Sequence, residues 1–294
     1  MKITLRGVRG SIPVPGPDTV RYGGNTTCHE VRTSSGEIII IDGGTGIRQL
    51  GNELLAHLPV KVSIFITHTH WDHIQGLPFF LPLFIPGNTI DIYGSFDPVY
   101  MKDLRSILSQ QMEYCYFPVR ECELAATINY HHLKEGESVQ VGSATVTGIV
   151  TNHPVLNFGY KVEEPGKKFF FTGDYEPPVN IYDPEDEEYS GYQELVNDQQ
   201  QLLVDFVKDV DVMIADSQYT AAEYPSKKGW GHGTFDTNIE LARVAKIKQM
   251  HFTHHDPTRT DDQLEAIFSE IQSRDNLPQD TEFLLAKEGT VIEL

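Results

Sequence analysis

The feature that most constrains this chain is an apolar run, Val62-Ser63-Ile64-Phe65-Ile66, that passes directly into Thr67-His68-Thr69-His70-Trp71-Asp72-His73. Four ligand-type side chains, His68, His70, Asp72 and His73, fall within six positions there. Such residues are poor strand formers, and at the end of a buried strand they would be polar groups taken out of water without partners. A divalent cation removes that penalty, because imidazole nitrogen and carboxylate oxygen are good ligands for zinc and similar ions. A lone histidine more often decorates a turn; a cluster this dense reads as a metal site. A tight loop after a strand aims alternate side chains, His68 and His70, at one ion while Asp72 and His73 turn toward a neighbour. Two adjacent metals are therefore expected.

The arrangement recurs. The apolar strand Ala144 to Val150 closes on Asn152-His153-Pro154, the run Phe169-Phe170-Phe171 on Thr172-Gly173-Asp174, and the strand Met250 to Thr253 on His254-His255. Glu37 to Ile41 ends in Asp42-Gly43-Gly44-Thr45-Gly46, and Val212 to Ala215 ends in Asp216. Neighbouring side chains on a strand point to opposite faces, which favours His254 over His255 as a ligand. Asp174 can bridge two ions with its two oxygens, Asp42 supports the loop beside it, and Asn25 is placed to approach substrate. His29, His57, His131, His132 and His251 lie in ordinary strand or helix contexts and read as structural or exposed.

Helical periodicity runs from about Ile47 to His57, through Met101 to Met112, and over Tyr192 to Val207, Asn238 to Ile247 and Asp261 to Ser273. Ile3 and Leu5 mark a first strand, the glycines and prolines from Gly7 to Pro17 a long loop, and Ser34-Ser35-Gly36 a hairpin turn. Several short strands follow between Ala126 and Phe171. Strands alternating with helices predict a layered α/β fold with mixed sheets, in one domain spanning residues 1–294. No sequence repeat aligns between the halves. The aromatic segment Tyr114 to Pro118 could form a pocket wall, but such a cluster is more often core and it is assigned no role; the acidic run Asp183 to Glu188 reads as a solvated surface loop.

Lysine and arginine number 23 against 42 acidic residues, a formal charge of −19. Binding to a long nucleic acid leans on phosphate neutralisation, so a long polyanion is an unpromising partner. A small anion is not excluded, since two divalent ions reverse the local field. Cys28, Cys115 and Cys122 are odd in number and widely spaced, which is no disulfide framework. The first residues lack the apolar core of a signal peptide and no run reaches a membrane span, so the expected location is cytoplasmic, with no membrane partner. A homodimer is compatible with the sequence.

The order His-x-His-x-Asp-His, then His153, Thr-Gly-Asp and Thr-His-His resembles hydrolases of the metallo-β-lactamase superfamily over nearly the whole chain. The stretches Gly10-Ser11-Ile12-Pro13, Tyr22-Gly23-Gly24-Asn25-Thr26 and Asp42-Gly43-Gly44-Thr45-Gly46 are similar to that group as well. The resemblance implies an αββα sandwich, two mixed β-sheets flanked by helices, with the metals at one edge. It also implies the ligand partition: His68, His70 and His153 on one ion, Asp72, His73 and His254 on the other, Asp174 between them. Spacing alone does not assign each histidine to an ion.

One further pair separates branches of that superfamily. Asp216 precedes Trp230-Gly231-His232-Gly233-Thr234. In phosphodiesterases such as ribonuclease Z, an acid after the corresponding strand orients the histidine of a similar His-x-Thr motif, which helps the leaving oxygen depart. Here an aspartate stands where ribonuclease Z has glutamate. A carboxylate that fixes the tautomer of an imidazole and raises its basicity suits a proton donor; the plainer alternative is that His232 caps a helix and Asp216 ends a strand. The resemblance thus implies a binuclear phosphodiesterase in which a metal-bridging hydroxide attacks phosphorus and His232 protonates the departing oxygen. The expected cofactors are two divalent ions, zinc first, with manganese or iron accepted by the same ligands. The arm that grips transfer RNA in ribonuclease Z has no convincing equivalent here, so the expected substrate is a small phosphodiester such as a cyclic nucleotide or cyclic phosphate. Thioester or β-lactam hydrolysis and a non-catalytic, metal-containing ligand sensor are the alternatives.

Overall fold

Strand β3 (Ile38–Ile41) is four consecutive isoleucines, all buried. Ile39 and Ile41 join one apolar core, while Ile38 and Ile40 join another beneath helices. A strand alternates its side chains, so a strand apolar on both faces belongs in a sheet covered on both sides. Strand β10 (Lys167–Phe171) does the same, with Phe169 and Phe171 in the core it shares with Ile39 and Ile41, and Phe170 in a third core. The computed structural model, which describes residues 1–294, is accordingly layered as helices, sheet, sheet and helices.

One sheet contains β1 (Lys2–Gly7), β2 (Cys28–Arg32), β3, β4 (Lys61–Phe65), β5 (Thr89–Gly94), β6 (Thr127–His132) and β14 (Val291–Glu293). The other contains β7 (Ser138–Val141), β8 (Ala144–Thr151), β9 (Asn157–Glu164), β10, β11 (Val212–Asp216), β12 (Gln249–Thr253) and β13 (Glu282–Leu285). Their orders are β14-β1-β2-β3-β4-β5-β6 and β7-β8-β9-β10-β11-β12-β13. Read in that direction, each sheet has three antiparallel pairings followed by three parallel ones. The two sheets therefore share one topology although no sequence repeat aligns. Strands β13 and β14 lie beyond the last element read from periodicity.

Six α-helices cover the outer faces or the strand ends: α1 (Ile47–Leu54), α2 (Trp71–Ile74), α3 (Leu104–Gln110), α4 (Tyr189–Phe206), α5 (Phe235–Ala245) and α6 (Asp261–Gln272). Helix α5 starts three residues earlier than its periodicity indicates, because the Thr234 side chain accepts from the Thr237 amide and caps it there. It stops where Lys246 turns left-handed, at φ 56°. The aromatic segment expected in the core is instead exposed: Tyr114 and Tyr116 keep 59% and 71% of their surface. Only Phe117 finds an aromatic partner, edge-on to Phe79 at 5.3 Å. No helix is long and apolar enough to cross a membrane.

Parallel pairing brings strand ends to a common edge. Ile41 lies opposite Phe65 across β3 and β4, so Asp42 and Thr67 emerge together. Phe171 pairs with Ile214 and Asp216 with Thr253, so Asp174, Asp216 and His254 emerge together in the other sheet. Carboxyl ends of parallel strands are where such sheets place their ligands.

Candidate metal centre

The loop after β4 is held from below by Asp42, which is buried and adopts a left-handed φ of 63°. Its carboxylate accepts from the Thr67 amide at 2.8 Å, from the Thr67 hydroxyl and from His73 Nδ1 at 2.7 Å. Since the Thr67 hydroxyl proton goes to Asp42, its oxygen is free to accept from His68 Nδ1 at 3.1 Å. His153 Nδ1 donates to the Gly231 carbonyl at 2.8 Å, and His254 Nδ1 to Gln218 Oε1 at 3.1 Å. In each of these imidazoles the outer nitrogen is committed to an oxygen, which turns Nε2 inward. That is how proteins orient histidine toward a metal.

The inward atoms converge in two groups. Ligand atoms of His68, His70, His153 and Asp174 lie within 4.8 Å of one another, and so do those of Asp72, His73, Asp174 and His254. Asp174 belongs to both. Its Oδ2 faces His68 Nε2 at 3.5 Å and His153 Nε2 at 4.0 Å, while Oδ1 faces His73 Nε2 at 3.1 Å and His254 Nε2 at 3.2 Å. One carboxylate thus presents one oxygen to each group. His70 Nδ1 lies 3.1 Å from His153 Nε2, and Asp72 Oδ2 3.1 Å from His254 Nε2.

These residues fit a pair of divalent cations. His68 Nε2, His73 Nε2 and Asp174 Oδ1 are buried without any hydrogen-bond partner. Buried orphans of that kind are uncommon, and three spread over two adjoining groups are accounted for by cations. The electrostatics agree. Burial pushes the imidazoles of His73 and His254 down, but the carboxylates of Asp174 and its neighbours outweigh it, holding His73 well above its ordinary value and His254 up to about 9. Protons there occupy a field that a cation fits equally well. In the other group, burial and neighbouring imidazoles hold His68 well below its ordinary value and His70 down to about 4. Those rings are neutral, the form that binds metal.

Beside the groups, Asp216 Oδ2 accepts from His232 Nδ1 at 2.9 Å. Asp216 is fully buried and also accepts from the amides of Tyr175 and Gln218, so its position is fixed independently of the histidine. The His232 ring stacks on His254 with centroids 4.7 Å apart and keeps 12% of its side-chain surface exposed. The plainer alternative does not describe this ring: Thr234, not His232, caps α5.

Several residues that order this site carry no signal in the sequence. Glu176 is buried, and its carboxylate accepts from the Tyr224 hydroxyl at 2.6 Å, the Gly229 amide at 2.8 Å and the Gly231 amide at 2.7 Å. Its backbone pairs with Asn152 in both directions. Glu176 therefore ties the segment before His153 to the segment before His232. Gly231 itself is at φ +89°, and a Cβ there would sit 2.3 Å from His153 Nδ1. From the N-terminal loop, the Ser11 amide donates to Asp72 Oδ2 at 2.7 Å, and a Cβ on Gly10 would meet His254 Nδ1 at 2.3 Å. The carboxylate two residues beyond Asp174 was the one available hint of Glu176.

Asn25 is bound by side chain and amide to Glu288 rather than left free for substrate. His255 Nε2 donates to the Ala286 carbonyl at 2.8 Å, away from both groups. His29 is buried edge-on to Phe171, His251 is buried against Gln249, His131 pairs with Asp91, and His57 and His132 are exposed.

Residues 38–255 match the family model described as the beta-lactamase superfamily domain. The ribonuclease BN of Cronobacter sakazakii is 26% identical over 270 residues, covering 73% of this chain and 78% of the relative. The ribonuclease Z of Staphylococcus haemolyticus is 21% identical over 311 residues, covering 95% and 96%. Among solved structures, the metallo-beta-lactamase fold protein YhfI of Bacillus subtilis superposes with a TM-score of 0.66 at 18% identity, over 99% of each chain.

Proposed function

The chain belongs to the metallo-β-lactamase superfamily, in its phosphodiesterase branch, and from that premise we propose that it is a binuclear metal-dependent phosphodiesterase for a small phosphodiester, a cyclic nucleotide or cyclic phosphate. The observation that carries this reading is the Asp216–His232 pair set against the two ligand groups. A phosphodiester expels an alkoxide, which needs a proton; a thioester expels a thiolate, which does not. A fixed imidazole donor at this place serves the first reaction and is idle in the second.

His68, His70 and His153 would hold one ion and Asp72, His73 and His254 the other, with Asp174 between them. Two divalent ions, zinc by ligand type, would supply Lewis acidity toward the phosphoryl oxygens and activation of water at neutral pH. The protein does the remainder. Asp42, Thr67, Gly231 and Gln218 fix the rings from outside, so substrate meets a site that needs no rearrangement. Asp216 accepts a hydrogen bond from the Nδ1–H of His232, which leaves Nε2, without a partner in the protein, to carry a proton to the departing oxygen.

The charge of −19 supports a small substrate over a long polyanion. The relatives carry ribonuclease names, so a transfer RNA precursor belongs in the test beside cyclic nucleotides. Three unpaired cysteines favour a reducing cytoplasm as the place of action. The experiment is turnover by the metal-loaded protein across bis(p-nitrophenyl) phosphate, several cyclic nucleotides, a transfer RNA precursor, a thioester and a chromogenic β-lactam. Phosphodiester hydrolysis that is lost in Asp174→Ala supports the proposal. Activity confined to the thioester or β-lactam overturns it, and cleavage of the RNA alone overturns the choice of substrate.

A further inference from the structure

The chain has two tryptophans, and both are exposed next to site residues. Trp71 stands between His70 and Asp72 and keeps 78% of its surface; Trp230 precedes Gly231 and His232 and keeps 57%. The Gly231 carbonyl accepts from His153, so the backbone that carries Trp230 is anchored to one ligand group. An exposed indole beside an ordered site is an amphipathic surface suited to stacking against a flat partner.

Trp230 is further prepared. The Lys227 ammonium lies 4.0 Å over its ring and 5.9 Å from the ring of Tyr219, which in turn packs edge-on against His232 at 6.0 Å. Lys227 has no carboxylate within salt-bridge distance, in a chain with a large excess of acids. One face of the indole is taken by the ammonium and the ring is still mostly exposed, so the other face is open. The loop is not free to wander, because Glu176 holds it at the Gly229 and Gly231 amides on either side of Trp230.

We propose that Trp230 and Lys227 form the recognition platform for the leaving side of the substrate, the indole stacking on a nucleobase and the ammonium pairing with an anionic oxygen. This rests on the phosphodiesterase reading and sharpens it, since the oxygen that His232 protonates then belongs to the ribose of a nucleotide. Nucleobases stack on aromatic side chains with little regard to sequence, and a cation beside the ring adds to the attraction. Lys227 thereby gives the −19 chain a local cation beside the exposed indole.

The test uses metal-loaded protein carrying Trp71→Phe, in which Trp230 is the sole indole, and follows its fluorescence. Adenosine monophosphate and ribose 5-phosphate are the probes. The expected result is quenching by the nucleotide and none by ribose 5-phosphate, together with a dissociation constant roughly tenfold lower for the nucleotide in calorimetric titrations, which need no indole and also serve the variants. Trp230→Leu should then weaken the nucleotide about tenfold and ribose 5-phosphate less than twofold. Lys227→Gln should weaken both anions. Equal affinity for the two probes, or equal loss in Trp230→Leu, overturns the platform. Because binding is read without turnover, the two readings fail separately: a nucleotide that stacks on Trp230 while no phosphodiester is hydrolysed keeps the platform and removes the reaction.

Discussion

Replacing Glu176 by glutamine tests whether this residue positions the proton donor or merely fills space. The carboxylate takes three donors, one phenol and two backbone amides, on two oxygens. An amide group can satisfy them only in part. With its oxygen toward Tyr224 and Gly229, the new NH2 confronts the Gly231 N–H. Turned over, it can donate to the Tyr224 oxygen but leaves the Gly229 N–H without an acceptor. Either way one buried backbone donor is stranded, at roughly 1–3 kcal/mol, and the surviving bonds lose their charge assistance. A total near 3 kcal/mol lowers the melting temperature by about 5 °C for a chain of this size. The functional effect is separate from that loss. Gly231 supplies the carbonyl that orients His153 and is joined directly to His232, so turnover on an alkyl leaving group should fall about tenfold while protein remains folded at 25 °C. The decisive assay is a double-mutant cycle with His232→Ala. If Glu176 acts through His232, its substitution costs little more in the His232→Ala background than a factor of about 2. Full multiplication of the two losses, or wild-type turnover in Glu176→Gln despite the lower melting temperature, refutes the reasoning.

Three further outcomes are expected. His232→Ala should keep its full metal content yet lose roughly a hundredfold on an alkyl phosphodiester and far less on a nitrophenyl ester, whose leaving group needs little protonation; equal losses on both remove the proton-donor role. Gly231→Ala places a Cβ against His153 at a left-handed φ and should therefore bind about half the metal of the parent, measured by elemental analysis after gel filtration; a full complement contradicts the geometry. Glu164 is buried, and although burial pushes its carboxyl up, hydrogen bonds from Ser143 and Ser34 and the N-terminal ammonium outweigh that and hold it at about 2 against an ordinary 4.5. Its folded value is the lower one, so the stability it contributes, on the order of 1–2 kcal/mol once solvent screening is allowed for, is present above pH 4.5 and is lost as pH falls toward 2. Urea titrations of Glu164→Gln and the parent should differ by about that amount at pH 6 and converge near pH 2; a constant gap contradicts the assignment.

The layers and the residues that cluster at the candidate site were legible because they are written in short stretches. Ile38 to Ile41 and Phe169 to Phe171 are apolar at every position, and only a sheet covered on both faces accommodates that. His68, His70, Asp72 and His73 announce themselves by density, and His153, Asp174, Asp216 and His254 by standing where apolar strands stop. What could not be read depends on pairs far apart in the chain. The Glu176 carboxylate reaches Gly231 across 55 residues, and His254 reaches Gln218 across 36. Ser11 offers Asp72 an amide, a group every residue has. The shared topology of the sheets was hidden for a related reason: corresponding strands have apolarity in common and little else.

That shared topology also yields a comparison between two aspartates. Asp42 follows β3 and Asp174 follows β10, and these strands hold the same place in their sheets. Their roles differ in reach. Asp42 grips His73 from the outer side, through Nδ1, whereas Asp174 presents an oxygen to each ligand group. In Asp42→Asn the amide oxygen can still accept the His73 proton, so one ion should be weakened by roughly 10–100-fold, as is usual when the partner of a metal-binding histidine is altered. In Asp174→Asn the new amide has one oxygen for two groups, and both ions should be lost together. Chelator titration of each variant, with metal counted at every step, separates the cases. Equal losses in the two variants would show that Asp174 is one more supporting carboxylate rather than the residue the two groups share.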